Sequence, residues 1–218
     1  QQANRKRVRV LYERLAAEYP EATCTLNHAD PLQLLIATIL AAQCTDERVN
    51  IVTKTLFKKY KRPEDFVNAP IARLQEDIRS CGFYRQKAKS IVKTCSALIE
   101  NFDGKVPDTM EALTSLSGVG RKTANVLLGE CFNTPGIIVD THCTRLSRRL
   151  GLTKNTDPGR IEQDLMKIVE KPHWTLFSHY LVFHGRAVCS ARSPRCSHCC
   201  ISDLCPFPDS REGKKIAT

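Results

Sequence analysis

Apolar residues in this chain recur at intervals of three and four along most of its length, and nowhere do they alternate for long. After Asp30 and Pro31 come Leu32, Leu34, Leu35, Ile36, Ile39 and Leu40, which predict a helix with an acidic N-cap, proline at its first position and a largely buried surface. Thr45 and Asp46 cap a second helix running to about Tyr60, with Val49, Val52, Leu56 and Phe57 on one face and Lys54, Lys58 and Lys59 elsewhere. These two are expected to pair antiparallel. The same period recurs over 71–80, 87–102, 119–131, 141–150, 161–169 and 174–188, punctuated by Gly, Pro and Asp. Ile137, Ile138 and Val139 offer at most a brief extended segment. The fold class that follows is all-α.

A chain of 218 residues, 42% of them hydrophobic, can bury a core as one large domain or two small ones. No repeat and no linker composition marks where it divides. The most apolar stretch, 31–42, is broken by Gln33 and Thr38 and is too short to span a membrane. Residues 1–10 carry Arg5, Lys6, Arg7 and Arg9 but no apolar run behind them, so they do not read as a secretory signal. The expected location is intracellular, the cytoplasm or nucleoid if the source is bacterial. The polar tail from 210 to 218 is expected to fray. Lys and Arg number 33 against 23 Asp and Glu, a net charge of +10 that suits a polyanion. DNA, RNA and an acidic membrane surface all satisfy that charge.

Of eleven cysteines, Cys189, Cys196, Cys199, Cys200 and Cys205 share one short C-terminal stretch. An odd total without an export signal argues against a disulfide framework and for a metal site. Cys189, Cys196, Cys199 and Cys205 are spaced C-x6-C-x2-C-x5-C, so four thiolates in one loop can surround a compact inorganic centre; zinc and a cubane iron–sulfur cluster both fit. Cys200 is then spare. Cys24, Cys44, Cys81, Cys95, Cys131 and Cys143 sit among apolar neighbours as small buried hydrophobes. Arg186, Arg192, Arg195, His198 and Lys214 flank the loop, either to contact phosphate or to offset the charge of the centre.

Leu116-Ser117-Gly118-Val119-Gly120-Arg121-Lys122-Thr123-Ala124 follows a short helical turn and opens a longer helix. Two glycines let the backbone turn tightly at positive φ, and the first N–H groups of the new helix then point outward, where they can hold a phosphate oxygen. This is a helix-hairpin-helix signature; a plain turn between packed helices is the bland alternative. A lysine in a first helical turn is ordinarily solvated. At Lys122, however, the helix dipole, Arg121 and partial burial would disfavour the ammonium and free the amine to attack a sugar carbon and form a Schiff base. Asp140, between Val139 and Thr141-His142, is an N-cap in the simplest reading. A capping carboxylate is also held rigidly and can stabilise positive charge on a sugar whose base departs, so the two roles can coexist.

Taken in order and separation, Leu-Ser-Gly-Val-Gly-Arg-Lys-Thr-Ala-Asn, Val-Asp-Thr-His and the four-cysteine loop resemble the endonuclease III family of helix-hairpin-helix DNA glycosylases, over nearly the whole chain. The resemblance implies two α-helical domains with a DNA-binding cleft between them. One, 29–136, would be a six-helix barrel carrying the hairpin; the other would pair the N-terminal helix with the C-terminal helices, 1–28 plus 137–218, around a [4Fe-4S] cluster. It implies Lys122 as nucleophile, Asp140 as its partner, and Cys189, Cys196, Cys199 and Cys205 as cluster ligands. The DNA-contacting residues would be Gln43, Phe83, Gly118, Gly120, Arg121, Lys122, Thr123 and His142. Gln43 matches the glutamine that fills the gap left by an extruded base. Phe83 falls where a wedge residue, often Leu, meets the opposite strand; core packing is the alternative.

The implied activity is base-excision repair: removal of oxidised pyrimidines and cleavage at abasic sites by β-elimination through a lysine Schiff base, on double-stranded DNA, by a monomer. Ser117 departs from the usual hairpin Pro and Ala41 from a common Ser, which puts the tightness of the turn and the lesion preference in doubt. The related adenine glycosylases lack the lysine and carry an extra C-terminal domain. A pyrimidine-dimer glycosylase or a non-catalytic damage-binding module remains a rival, the latter disfavoured by the presence of both Lys122 and Asp140.

Overall fold

The computed structural model describes residues 2–210 and 213. Among these the secondary structure is helical, as the periodicity predicts, and the chain separates into two compact units, Cys24–Thr134 and a second made of Gln1–Thr23 with Pro135–Thr218.

The continuous unit holds α2 (Pro31–Ala41), α3 (Asp46–Lys59), α4 (Pro63–Asn68), α5 (Ile71–Asp77), α6 (Tyr84–Phe102), α7 (Met110–Ser115) and α8 (Arg121–Cys131), with α1 (Gln2–Glu18) belonging to the other. That is seven helices rather than six. The short α4 supplies the addition, since a turn and a half beginning at Pro63 shows no apolar period. The stretch 71–80 also splits, α5 giving way to a 3-10 turn over Arg79–Cys81.

Asp30 Oδ1 accepts from Gln33 N at 2.8 Å and starts α2; Thr45 Oγ1 does the same for α3. Apolar except at Gln33 and Thr38, α2 goes to the centre: Leu34, Leu35, Ile36 and Leu40 are fully buried, in one core with Val49 and Leu56 of α3, Ile91, Cys95 and Leu98 of α6, and Leu127 of α8. Each such side chain contributes roughly 1.5–3 kcal/mol of burial.

In the other unit, Val8, Leu11 and Leu15 present one stripe of α1 to α9 (Thr141–Arg149), α10 (Pro158–Ile168) and α11 (Trp174–Ala187), which add Leu146, Ile161, Leu165, Phe177 and Leu181. Segment 137–139 is buried without being a strand. Ile138 N–H donates to Ser178 Oγ at 2.9 Å, and that hydroxyl donates to Trp174 O at 2.9 Å, so α11 takes the backbone donor that a sheet partner would have taken.

If α2 is the packed centre, Leu35→Ala leaves a cavity that its neighbours cannot close, and unfolding stability falls by about 2–5 kcal/mol. Urea denaturation followed by circular dichroism measures this; a loss below about 1 kcal/mol would contradict the close packing.

Candidate active site and cysteine loop

The hairpin is built from α7, a turn and α8. Gly118 takes φ 78° and needs to be glycine, but Gly120 does not: at φ −92° and ψ 174° it is an extended N-cap, which corrects the expectation of two left-handed glycines. A Cβ at Gly120 would meet nothing within 4 Å, and no side chain caps the helix that it begins. The start of α8 therefore keeps its positive end uncovered by any cap, as an anion requires.

The turn is held from α6, a partner that no local pattern announces. Thr94, fully buried, donates from Oγ1 to Ser117 O at 2.6 Å. Arg121 and Lys122 are exposed and Thr123 is half-buried. Lys122 is thus not partly buried as expected, because it stands in the first turn, ahead of the buried face that begins at Ala124.

The tips carrying Gln43 and Phe83 lie in the same unit. Both residues are exposed and both have left-handed backbone, φ 53° and 46°. Phe83 keeps 65% of its surface, so it is not a core residue.

Asp140 belongs to the other unit, half-buried after the pinned segment 137–139. Its Oδ1 accepts from Cys143 N at 2.7 Å, the N-cap geometry expected of it. His142 follows, half-buried, with Nδ1 3.1 Å from Arg145 Nη2. A guanidinium only donates, so Nδ1 accepts. Arg145 also donates to Gly185 O and Cys189 O, both at 3.0 Å, tying the helix of Asp140 to the start of the cysteine loop.

None of the eleven cysteines is in a disulfide. Cys81, Cys95 and Cys143 are buried, while Cys24, Cys44 and Cys131 are half-buried. Cys189, Cys196, Cys199 and Cys205 line one small cavity with Arg149, His184 and Phe207; Cys200 does not line it. Arg149 Nη1 donates to Cys189 Sγ at 3.3 Å and Ser190 O at 2.8 Å, and Nη2 to Ala191 O at 2.9 Å. Its Nε is buried with no hydrogen-bond partner among the described residues.

His184 sits 3.3 Å from Cys199 Sγ through Nε2 and 2.9 Å from Tyr19 Oη through Nδ1. Burial pushes its pKa down to about 4, so the ring is neutral and has one N–H to give. These donors suit an anionic, sulfur-ligated centre. No three His, Cys, Asp or Glu side chains among the described residues converge on one ion. Arg186, Arg192, Arg195 and His198 are exposed around the loop, and Lys214 lies outside the described residues.

Residues 36–171 match the HhH-GPD superfamily of base excision DNA repair proteins. The chain is 53% identical to endonuclease III of Synechocystis over 86% of both chains, and 46% identical to endonuclease III of Bacillus subtilis over 97% of this chain and 95% of that one. It belongs to the endonuclease III family.

Membership makes it a base-excision DNA repair enzyme, a DNA glycosylase and abasic-site lyase. A solved non-covalent endonuclease III–DNA complex is 45% identical and superimposes with a TM-score of 0.89 over 97% of both chains. A trapped endonuclease III–DNA covalent intermediate is 44% identical, with a TM-score of 0.90 over 98% of this chain and 99% of that one. A thermostable thymine-DNA glycosylase at 24% identity shares the fold, with a TM-score of 0.87 over 96% of this chain. Among the described residues no helix is long and apolar enough to cross a membrane.

Thr94→Val keeps shape but removes the donor to Ser117 O. It is expected to cost about 1–3 kcal/mol of stability and to weaken binding to an abasic-analogue duplex, measured by denaturation and fluorescence anisotropy. Unchanged values for both would show that the turn holds itself.

Proposed function

We propose that this chain removes oxidised pyrimidines from double-stranded DNA and cleaves the strand at the resulting abasic site, acting as a monomer, with Lys122 as nucleophile and Asp140 as its electrostatic partner. The observation that carries the reading is Lys122 standing exposed at the uncapped start of α8, directly behind the left-handed Gly118. A phosphate docked on that helix end brings the sugar to the amine. Gly118, Gly120, Arg121, Thr123 and His142 contact the backbone, sequence-independently. Extruding the damaged base costs a few kcal/mol of stacking, Gln43 enters the space left behind and Phe83 wedges against the opposite strand.

In the chemistry proposed, the lone pair of Lys122 Nζ forms a bond to C1′ as the bond from C1′ to the base breaks, and the electron pair of that bond leaves with the base, which takes up a proton. Positive charge builds on the sugar, and the Asp140 carboxylate stabilises it. Ring opening gives a Schiff base between Lys122 and C1′. Loss of a proton from C2′ then expels the 3′ phosphate by β-elimination, and water releases the enzyme. The covalent DNA intermediate trapped on a relative 44% identical supports a covalent route.

Cys189, Cys196, Cys199 and Cys205 would hold a [4Fe-4S] cluster, the centre that the family resemblance implies for four cysteines lining one cavity. A cluster held there would cross-link the C-terminal loop, with Arg149 donating to Cys189 Sγ and His184 Nε2 3.3 Å from Cys199 Sγ.

Borohydride reduction on duplexes containing one thymine glycol or one abasic site is expected to give a covalent adduct on both, and none with Lys122→Gln, which should still bind DNA. Asp140→Asn should slow the chemistry by about 10²-fold or more and weaken the start of α9. Trapping confined to the abasic duplex would remove the oxidised-pyrimidine assignment, and an adduct persisting in Lys122→Gln would remove Lys122. Iron and sulfide assays should give four of each per chain, falling in Cys196→Ala; stoichiometric zinc would overturn the cluster.

A further inference from the structure

A non-glycine residue at positive φ costs on the order of 1–3 kcal/mol and persists only where its surroundings over-determine it. Gln43 and Phe83 both pay that cost while their side chains project into solvent, so their own packing does not hold them. The backbone behind each does. Lys87, in the first turn of α6 and only 5% exposed, donates from Nζ to Leu40 O at 2.8 Å and to Cys81 O at 2.8 Å. Leu40 lies in the last turn of α2, three residues before Gln43, where helix carbonyls lack helical partners and the dipole favours a cation. Cys81 closes the 3-10 turn two residues before Phe83.

The groups facing the ammonium are these two carbonyls and the thiols of Cys44 and Cys81, with no carboxylate among the described residues. Burial pulls the lysine below its ordinary pKa. A desolvated cation without a counter-ion is a poor way to stabilise a core, and a good way to fasten two backbone ends to one point.

We propose that Lys87 is the positioning residue for base extrusion: its ammonium fastens the carbonyl behind Gln43 to the carbonyl behind Phe83, fixing the separation and direction of the two side chains that enter the duplex. This rests on the reading of Gln43 and Phe83 given above. Lys87 touches neither substrate nor reacting atoms. Its effect therefore falls on the extrusion step and not on the chemistry that follows.

The test compares the full-length wild type with Lys87→Met and Lys87→Arg. Single-turnover cleavage is followed on thymine glycol paired with adenine, and on the same lesion inside a three-nucleotide unpaired bubble, where stacking and pairing are already lost. Lys87→Met is expected to lose about tenfold or more on the paired duplex and less than about twofold in the bubble. Lys87→Arg, which keeps the charge and donors, should recover part of the loss. Added to a Gln43→Ala, Phe83→Ala background, Lys87→Met should cost less than about twofold further, since nothing is left to position.

Equal losses on both substrates, or full additivity in that background, would overturn the proposal. Hydrogen exchange gives a readout independent of the enzymology: amides over 41–45 and 82–86 should both exchange faster in the Lys87 variants while the rest of the unit does not. Loosening of one segment alone, or of the whole unit, would also overturn it. A wild type that leaves both lesions untouched and yields no borohydride adduct would instead sink the proposed function, with the exchange experiment still deciding the clamp.

Discussion

An α-helix leaves its first N–H groups without partners, and what satisfies a start decides what else can dock there. Asp30, Thr45, Thr109, Asp140 and Asp157 each turn a side-chain oxygen onto the N–H three residues on. Pro70, Phe83, His173 and Gly120 supply no such bond, and the start of α8 follows the left-handed Gly118 and carries Arg121 and Lys122 in its first turn. Under the proposed function, a cap at Gly120 would compete with a phosphate for those first N–H groups, beside Lys122. Asp140 shows the opposite use of the same rule. Its cap bond commits one carboxylate oxygen to Cys143 N–H and leaves the other outside the cap, so rigidity and charge come from one side chain.

Local rules were readable wherever cause and effect lie within a few residues. Asp30-Pro31, Thr45 and the period of α6 place helices well because capping and amphipathicity are properties of short windows. The failures have one physical origin. Helix α4 is too short for a period, and Gly118 and Gly120 look alike until the start of α8 is known. Thr94, Ser178 and Lys87 work by bonding backbone atoms 23, 40 and 47 residues away, and a backbone acceptor leaves no trace in sequence. Phe83 illustrates the remaining gap, since an aromatic residue after Gly82 reads equally as core or as tip until its 65% exposure is known.

The cysteine loop depends on arginines more than on its own regularity. Its segments over 196–204 contain only two 3-10 turns, too little secondary structure to fix four sulfurs. Arg149 grips Ser190 O and Ala191 O, Arg145 grips Cys189 O, and Arg7 reaches Leu204 O at 2.9 Å. A guanidinium fork suits this task because its donors are planar and fixed, so each grip sets direction as well as distance. Gly185 lets α11 approach closely enough for this: a Cβ there would stand 2.7 Å from His142 Nδ1 and 3.0 Å from Arg145 Nη2. The loop, the helix that Asp140 caps and His142 are therefore parts of one packing problem within that unit.

Lys87 raises a general point about where a protein invests stability. Replacing a buried lysine by an apolar residue usually relieves desolvation, yet here it would orphan two carbonyls, so selection for stability alone has no easy path away from it. Left-handed backbone at Gln43 and Phe83 adds further cost in the free protein. Those costs become useful only if the tips must be rigid before the duplex arrives. Flexible tips would surrender rotamer and backbone entropy at the moment of insertion, on top of the stacking energy lost by the extruded base. Tips already ordered have met that cost during folding, where the whole core of α2, α3, α6 and α8 helps to meet it.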